Sequence, residues 1–368
     1  MRPFGIYIHI PFCDGKCAYC NFYSVRRGAE SMDEYTEKLK ERVARWGADI
    51  SRKVTSVYFG GGTPSLLGGV RLSGILNTVK ESFDISDDAE ITLEANPASV
   101  SAADFAALRA GGFNRLSIGI QSANDNELKI LGRRHTDADA AAAVKAAREA
   151  GFDNISLDIM LAIPEQTPDS LDRTIDFSAY LDVEHVSAYI LKVEKGTAFY
   201  RGRDTLGLFS EDEQAEIYEH TVRRLAELGY RQYEISNFCK EGRESRHNLL
   251  YWHDEEYLGI GPSAHSFIDG KRFYYPDSID KFYMDEICEE GFGGDKEEYV
   301  MLALRLSEGL IFDRYRERFG SEVSERIMMN AGMLQRAGLV EITPCSLSLT
   351  VKGFLVSNSV IAYLLQNT

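Results

Sequence analysis

Six times in its first 230 residues the chain passes from a short apolar run to an amphipathic segment of helical length. The runs are "GIYIHI" (5–10), "SVYFG" (56–60), "EITLEA" (90–95), "NRLSIGIQS" (114–122), "NISLDIML" (154–161) and "HVSAYIL" (185–191). Helical patterns follow around 33–46, 70–82, 101–110, 125–150, 168–181 and 211–229. This alternation predicts an α/β fold in which helices cross over a parallel sheet. The runs are rich in Val, Ile and Leu, the composition of strands covered on both faces. An open doubly wound sheet and a partial (β/α)6 barrel both satisfy the pattern. Cys13 to Cys20, Gly60 to Thr63, Glu94, Gln121 and Asp158 fall at or just beyond the C-terminal parts of the first five strands. In barrels that edge carries the chemistry.

Beyond residue 230 the alternation stops. Residues 231–294 are dense in aromatics, His and Gly and read as a loop-rich cap over the sheet. From 295 to 368 helical patterns near 296–306, 312–319 and 323–336 precede "GLVEITPCSLSLTVKG", a hairpin pattern with Pro344 at its turn. Helices followed by a two-stranded wing predict a small winged-helix-like domain. The formal net charge of −16 argues against DNA or RNA as its target, because the field repels phosphates and no basic patch offsets it. No run of eighteen apolar residues argues for a membrane span. "MRPFGIYIHIPF" lacks a long apolar stretch before a small-residue cleavage site, so no signal peptide is read there. With six cysteines, this favours a reducing, cytoplasmic setting in which clustered thiols bind metal or do catalysis.

Three of those cysteines lie in "CDGKCAYC", spaced Cys-x3-Cys-x2-Cys at Cys13, Cys17 and Cys20. A structural zinc site takes four protein ligands, and the one nearby candidate for the fourth, His9, sits inside a strand pattern. An iron–sulfur cluster held by three thiolates leaves one iron open for chemistry. Incidental thiols remain the third alternative. "YFGGGTPS" (58–65) brings three glycines to the end of the second strand, where a backbone without side chains approaches a ligand closely. It matches neither a Walker loop nor a dinucleotide-binding fingerprint; a tight strand-to-helix turn is the plainer reading.

Taken in order, the cysteine loop with Tyr19, "YIHIPFC", "YFGGGTPS", "LEANP", "SIGIQS", "LGRRH" and "DIMLAIPEQT" resemble the radical S-adenosylmethionine family. Within it they are similar to the group related to oxygen-independent coproporphyrinogen III oxidase, from Tyr7 to about Ser266, and the C-terminal segment resembles that group's as well. The resemblance implies a partial (β/α)6 barrel and a [4Fe-4S] cluster on Cys13, Cys17 and Cys20. S-adenosylmethionine would chelate the fourth iron, and the reduced cluster would cleave the sulfonium to a 5′-deoxyadenosyl radical. It implies that Tyr7 and Tyr19 pack against adenine or cluster, and that Gly61, Gly62 and Thr63 meet the methionine amine. Glu94, Gln121 and Asp158 would accept from the amine or the ribose hydroxyls. Arg133 would pair with the methionine carboxylate, as a planar fork suits a carboxylate, and Lys192 and His265 are further candidates. Read alone, each acidic residue at a strand end is equally an N-cap or a surface ion pair.

Two features depart from the oxidase pattern. The place of a fourth cysteine, two residues after the third, is Phe22, and only four residues precede Gly5. A HemW-type heme-chaperone subgroup shares both departures and carries His-Asn-x-x-Tyr-Trp. Here "RHNLLYW" supplies His247, Asn248, Tyr251 and Trp252. The resemblance implies heme as cargo, held by His247 with Tyr251 and Trp252 stacked on it, and passed to an acceptor protein at the membrane. His253 is an equally available imidazole, and an ordered cap without a ligand is the plainer reading of the motif. The alternatives left open are the oxidase itself and a radical enzyme of another substrate. Either a monomer or a dimer fits. Cys239, Cys288 and Cys345 read as isolated, packed thiols.

Overall fold

The computed structural model describes residues 2–26 and 28–366. Strand β1 (Phe4–Ile10) leads through the cysteine loop to α1 (Ala29–Asp49). The alternation continues with β2 (Lys53–Gly61), α2 (Gly68–Ser82), β3 (Asp84–Ala95), α3 (Ala102–Gly111) and β4 (Arg115–Gln121). Then come α4 (Asp125–Leu131), α5 (Asp137–Glu149), β5 (Ile155–Leu161), α6 (Pro168–Tyr180) and β6 (His185–Ile190). A short α7 (Ala198–Gly202) precedes α8 (Glu211–Glu227). Every pair from β1–β2 to β5–β6 is parallel, and the strands lie in chain order. A doubly wound sheet reverses its order at a switch point; this one never does, so its connections keep one sense around a curved, partial barrel.

The strands are covered on both faces, as expected, but the two faces differ in chemistry. Ile6, Ile8, Val57, Phe59, Leu93, Leu116, Ile118, Leu157 and Ile159 are wholly buried. Each such side chain contributes about 1.5–3 kcal/mol on burial. The alternate residues, including Ser56, Tyr58, Glu94, Arg115, Ser117, Asp158 and Ser187, belong to the other face, where hydrogen bonds join Tyr58 to Glu94 and Ser117 to Asp158 across neighbouring strands. The period-2 geometry of a strand thus separates an aliphatic shell from a polar lumen.

Residues 231–294 contribute strands to both edges of the same sheet, where a loop-rich cap was expected. At one edge β8 (Asn237–Cys239) pairs antiparallel with β6, and β7 (Arg231–Gln232) pairs antiparallel with β8. After α9 (Arg246–Trp252) the chain crosses to the other edge, where β9 (Glu256–Ile260) pairs parallel to β1. Strands β10 (His265–Ile268) and β11 (Lys271–Tyr274), helix α10 (Ile279–Tyr283) and β12 (Cys288–Phe292) complete a sheet of twelve strands. Their shortness, with Gly and polar residues inside, hides the strand periodicity.

The C-terminal part holds α11 (Lys296–Ala303), β13 (Leu310–Ile311), α12 (Phe312–Phe319), α13 (Glu325–Arg336), β14 (Val340–Ile342), β15 (Ser346–Leu349), α14 (Val351–Leu355) and α15 (Ser357–Leu364). The expected hairpin forms around Pro344, and β13 adds a third antiparallel strand beside β15. No helix among the described residues is long and apolar enough to cross a membrane.

Candidate functional site

The loop after β1 is fixed from three sides. The Cys13 amide donates to Val25 O at 3.1 Å and the Val25 amide to Pro11 O at 2.7 Å. The Ala18 amide donates to Leu131 O at the end of α4, and Ala18 O accepts from the Phe199 amide of α7. The glycine loop after β2 is stitched to it by Gly62 N to Ile10 O and Thr63 N to Phe12 O, both 2.8 Å. A Cβ on Gly62 would lie 2.7 Å from Phe12 O, so this close approach requires glycine. Gly61 has φ +115°, and a Cβ there would meet the His9 ring at 2.5 Å.

Cys13, Cys17 and Cys20 are half-buried and line one end of a cavity of about 1280 Å³. Burial and the neighbouring thiols push the Cys20 thiol up from its ordinary range. Among the described residues, no three His, Cys, Asp or Glu side chains are grouped to hold a single metal ion. His9 is not available as a fourth ligand. Its Nδ1 faces Tyr7 Oη at 3.1 Å and its Nε2 faces Tyr23 O at 3.3 Å, an arrangement met by Nε2–H donating and Nδ1 accepting. Three soft thiolates on a compact loop suit a multi-iron cluster better than zinc, whose structural sites want four ligands.

The cavity gathers most of the residues expected at the strand ends: Tyr19, Gly61, Gly62, Thr63, Glu94, Gln121, Arg133, Asp158 and Lys192 all line it. Glu94 accepts from Tyr58 Oη at 2.9 Å and from the Gly61 amide at 3.2 Å. Burial, and secondarily the charge of Asp158, raise its carboxyl to about 7. Asp158 accepts from Ser117 Oγ at 2.9 Å, and burial raises its carboxyl as well. Gln121 stands at φ 64°, beside an irregularity in the β4–β5 register that turns the strand end toward the cavity.

Arg133 reaches the cavity because α4 stops sharply. Gly132 takes a left-handed conformation, its amide bonding to Leu128 O and Lys129 O. The guanidinium then donates from Nη2 to Gly119 O at 2.5 Å and from Nη1 to Cys17 Sγ at 3.7 Å. Its Nε is buried without a partner. An anionic ligand in the cavity would answer that unpaired donor, so the donor set fits the methionine end of S-adenosylmethionine.

Other expected residues lie elsewhere. Tyr7 packs behind Gly60 and stacks on Tyr58, 6.2 Å between centroids. His265 is exposed on β10, paired with Glu290 and stacked on Tyr274, and does not line the cavity. His247 is 1% exposed. Its Nδ1 lies 2.8 Å from Ser56 Oγ, its Nε2 lies 2.9 Å from Tyr251 Oη, and its ring stacks on Tyr58. Burial, then the charge of Arg115, lowers it to about 3. Both nitrogens are engaged, so neither is open to a heme iron in this arrangement. Trp252 is half-buried with Nε1 unpartnered, and of the motif only Asn248 lines the cavity. His253 pairs with Glu308.

Tyr58, Arg115, Ser117, Ser187 and Tyr189 also line the cavity and were not singled out from the sequence. The usable signal was spacing: Arg115, Ser117 and Gly119 alternate along one face of β4, and Gln121, beyond the register irregularity, lines the same cavity. The far wall comes from α8 and the C-terminal segment, including Tyr218, Leu339 and Phe354.

The radical SAM superfamily model matches residues 7–178, and the HemN C-terminal domain model matches residues 296–356. The chain is similar to the protein named heme chaperone HemW of Bacillus subtilis, 36% identical over 96% of this chain and 97% of that one. A protein of the same name from Mycobacterium tuberculosis is 37% identical over 99% and 95%. A zebrafish protein named radical S-adenosyl methionine domain-containing protein 1, mitochondrial, is 34% identical over 87% and 76%. The solved structure of coproporphyrinogen III oxidase (HemN) from Escherichia coli superposes with a TM-score of 0.86 at 22% identity, over 100% of this chain and 91% of that one, which shows a shared fold. With the cysteine loop, the glycine loop and identity across nearly the whole length in agreement, this chain belongs to the HemW family of radical SAM proteins.

Proposed function

We propose that this chain is a heme chaperone that carries a [4Fe-4S] cluster on Cys13, Cys17 and Cys20, binds S-adenosylmethionine beside it and passes heme to an acceptor protein. The observation that carries the reading is the near-full-length identity, 36% and 37%, to proteins named heme chaperone. The cavity supports it. Ligand pockets commonly measure about 300–1,000 Å³, and about 1280 Å³ leaves room beyond one nucleoside-sized ligand. Arg133 would hold the methionine carboxylate, Glu94 and the Gly61–Gly62 backbone its amine, and Asp158 and Gln121 the ribose. When bound, the cluster supplies the electron for reductive cleavage of a sulfonium. The protein's own groups position the ligand and set the local charge.

In this reading His247, Tyr251 and Trp252 support the cavity floor rather than touch heme; the hydrogen bonds at both His247 nitrogens favour it. Purified, cluster-reconstituted protein is expected to bind heme at micromolar concentration, with a shifted Soret band, and to release it to an apo-hemoprotein. No heme binding refutes the proposal. The second reading, an oxygen-independent coproporphyrinogen III oxidase, rests on the HemN fold. Anaerobic incubation with coproporphyrinogen, reductant and S-adenosylmethionine decides between them: protoporphyrinogen in the product favours the oxidase.

A further inference from the structure

Arg115, like Arg133, is a cavity-lining guanidinium whose buried Nε has no hydrogen-bond partner among the described residues. It is 2% exposed, yet it borders the cavity. A guanidinium carries five donors, and Arg115 Nε is buried with no hydrogen-bond partner. Glu90 Oε2 stands 3.9 Å from Nε, beyond hydrogen-bond range. That carboxylate is already held by the amides of Arg246 and His247, each at 3.1 Å. Asp158 accepts from Ser117 instead. Glu90, and Asp158 beyond it, offset the buried charge, but they leave Nε without a hydrogen bond, which is costly unless an acceptor completes it.

Its height in the barrel separates this cation from the S-adenosylmethionine end. Arg115 pairs in register with Thr92, and Ser117 with Glu94. Arg115 therefore starts one rung, about 7 Å, below Glu94, on the face it shares with Ser117. Tyr58 stands level with it, both in register with Thr92, and Tyr189, Tyr218 and Phe354 also line the cavity, flat aromatic surface of the kind a macrocycle packs against. Arg305, another of the cavity's cations, is already bonded to Ser357 Oγ at 3.2 Å and Asn358 Oδ1 at 2.6 Å.

We infer that Arg115 is a carboxylate-binding subsite at the cavity floor, which takes a propionate-type side chain of the tetrapyrrole cargo in a bidentate pair. The inference deepens the heme-chaperone reading and rests on it. A planar fork matches a carboxylate in a way that an ammonium does not.

The test compares heme with its propionate dimethyl ester by Soret titration of the cluster-loaded protein, and S-adenosylmethionine by equilibrium dialysis. Wild type is expected to prefer the diacid by about tenfold, the scale of one lost charge-assisted pair. Arg115→Met should erase that preference while binding the ester and S-adenosylmethionine as wild type does. Arg115→Lys keeps the charge, loses the fork and should fall between; it also decides the matter if the Met variant does not fold. Wild type that binds acid and ester equally overturns the inference and leaves heme binding standing. A folded Met variant that retains the preference overturns it too. So does one that loses S-adenosylmethionine affinity alone, which would make the methionine carboxylate the partner. Wild type that binds neither porphyrin defeats the heme-chaperone reading itself, and this inference with it.

Discussion

Replacing Gly62 by Ala puts one methyl group into the seam between the cysteine loop and the glycine loop. The new Cβ would stand 2.7 Å from Phe12 O and 3.0 Å from Ile10 O, where ordinary contact begins at 3.4 Å. Phe12 O must then retreat by about 0.7 Å (3.4 − 2.7). Both carbonyls are the acceptors of the 2.8 Å bonds from Thr63 N and Gly62 N, so these stretch toward the limit of hydrogen bonding. Overpacking of this kind costs about 1–3 kcal/mol, and weakening two backbone bonds adds about 1 kcal/mol. The strain falls on Phe12, which directly precedes Cys13, so the thiol moves with it. The assay is iron and sulfide content after anaerobic reconstitution, alongside thermal melting. Gly62→Ala should lower the melting temperature by several degrees and retain a minority of its cluster. Gly74→Ala is the control: its Cβ meets only the flexible end of Lys40 at 3.5 Å, on a helix that favours Ala. Full cluster content and an unshifted melt in Gly62→Ala would refute the reasoning.

Three further outcomes are expected. Arg133→Ala should weaken S-adenosylmethionine binding by about tenfold to a hundredfold in equilibrium dialysis, through loss of a charge-assisted pair; unchanged affinity contradicts its assignment. Glu234 is 1% exposed, and burial raises its carboxyl to about 7. Because the folded pKa exceeds the unfolded one, the stability linked to it is complete below about 4.5 and is lost as pH rises through about 7. Urea melts should therefore show Glu234→Gln gaining on wild type by up to about 3 kcal/mol between pH 4.5 and 8; parallel curves refute this. His247→Ala removes the partner of two buried hydroxyls and should cost about 2–4 kcal/mol of stability. Any heme affinity it retains in the folded fraction separates support of the floor from ligation of the iron; complete loss of heme binding at an unchanged melt would restore His247 as the ligand.

Much of the barrel was legible because each of its six central strands is an aliphatic run of ordinary length bounded by turn residues. The ends of β1, β2, β3, β4 and β5 were legible as the rim of the cavity, a candidate site, because chemistry in such folds collects there. The lumen was harder to read. Ser56, Tyr58, Arg115 and Ser187 alternate with Val57, Phe59, Leu116 and Val186. A scan for apolar runs registers the aliphatic partner and passes over the polar one. His247 shows the opposite difficulty. An imidazole in an aromatic motif reads as a ligand, and only the placement of Ser56 and Tyr251 around it shows that its hydrogen bonds are already made. Strands β7 to β12 were missed because two to five residues containing Gly, His or Lys carry too little period-2 signal to stand out. The cavity wall from α8 and the C-terminal segment depends on contacts far apart in sequence, which no local pattern reports.

The most direct test of the three-thiol centre is the EPR spectrum of the reduced, reconstituted protein before and after S-adenosylmethionine is added. A reduced [4Fe-4S] signal that changes shape on addition is expected, since a cluster held by Cys13, Cys17 and Cys20 alone would leave its fourth iron without a protein ligand. Colourless protein, or a cluster signal indifferent to S-adenosylmethionine, would contradict it.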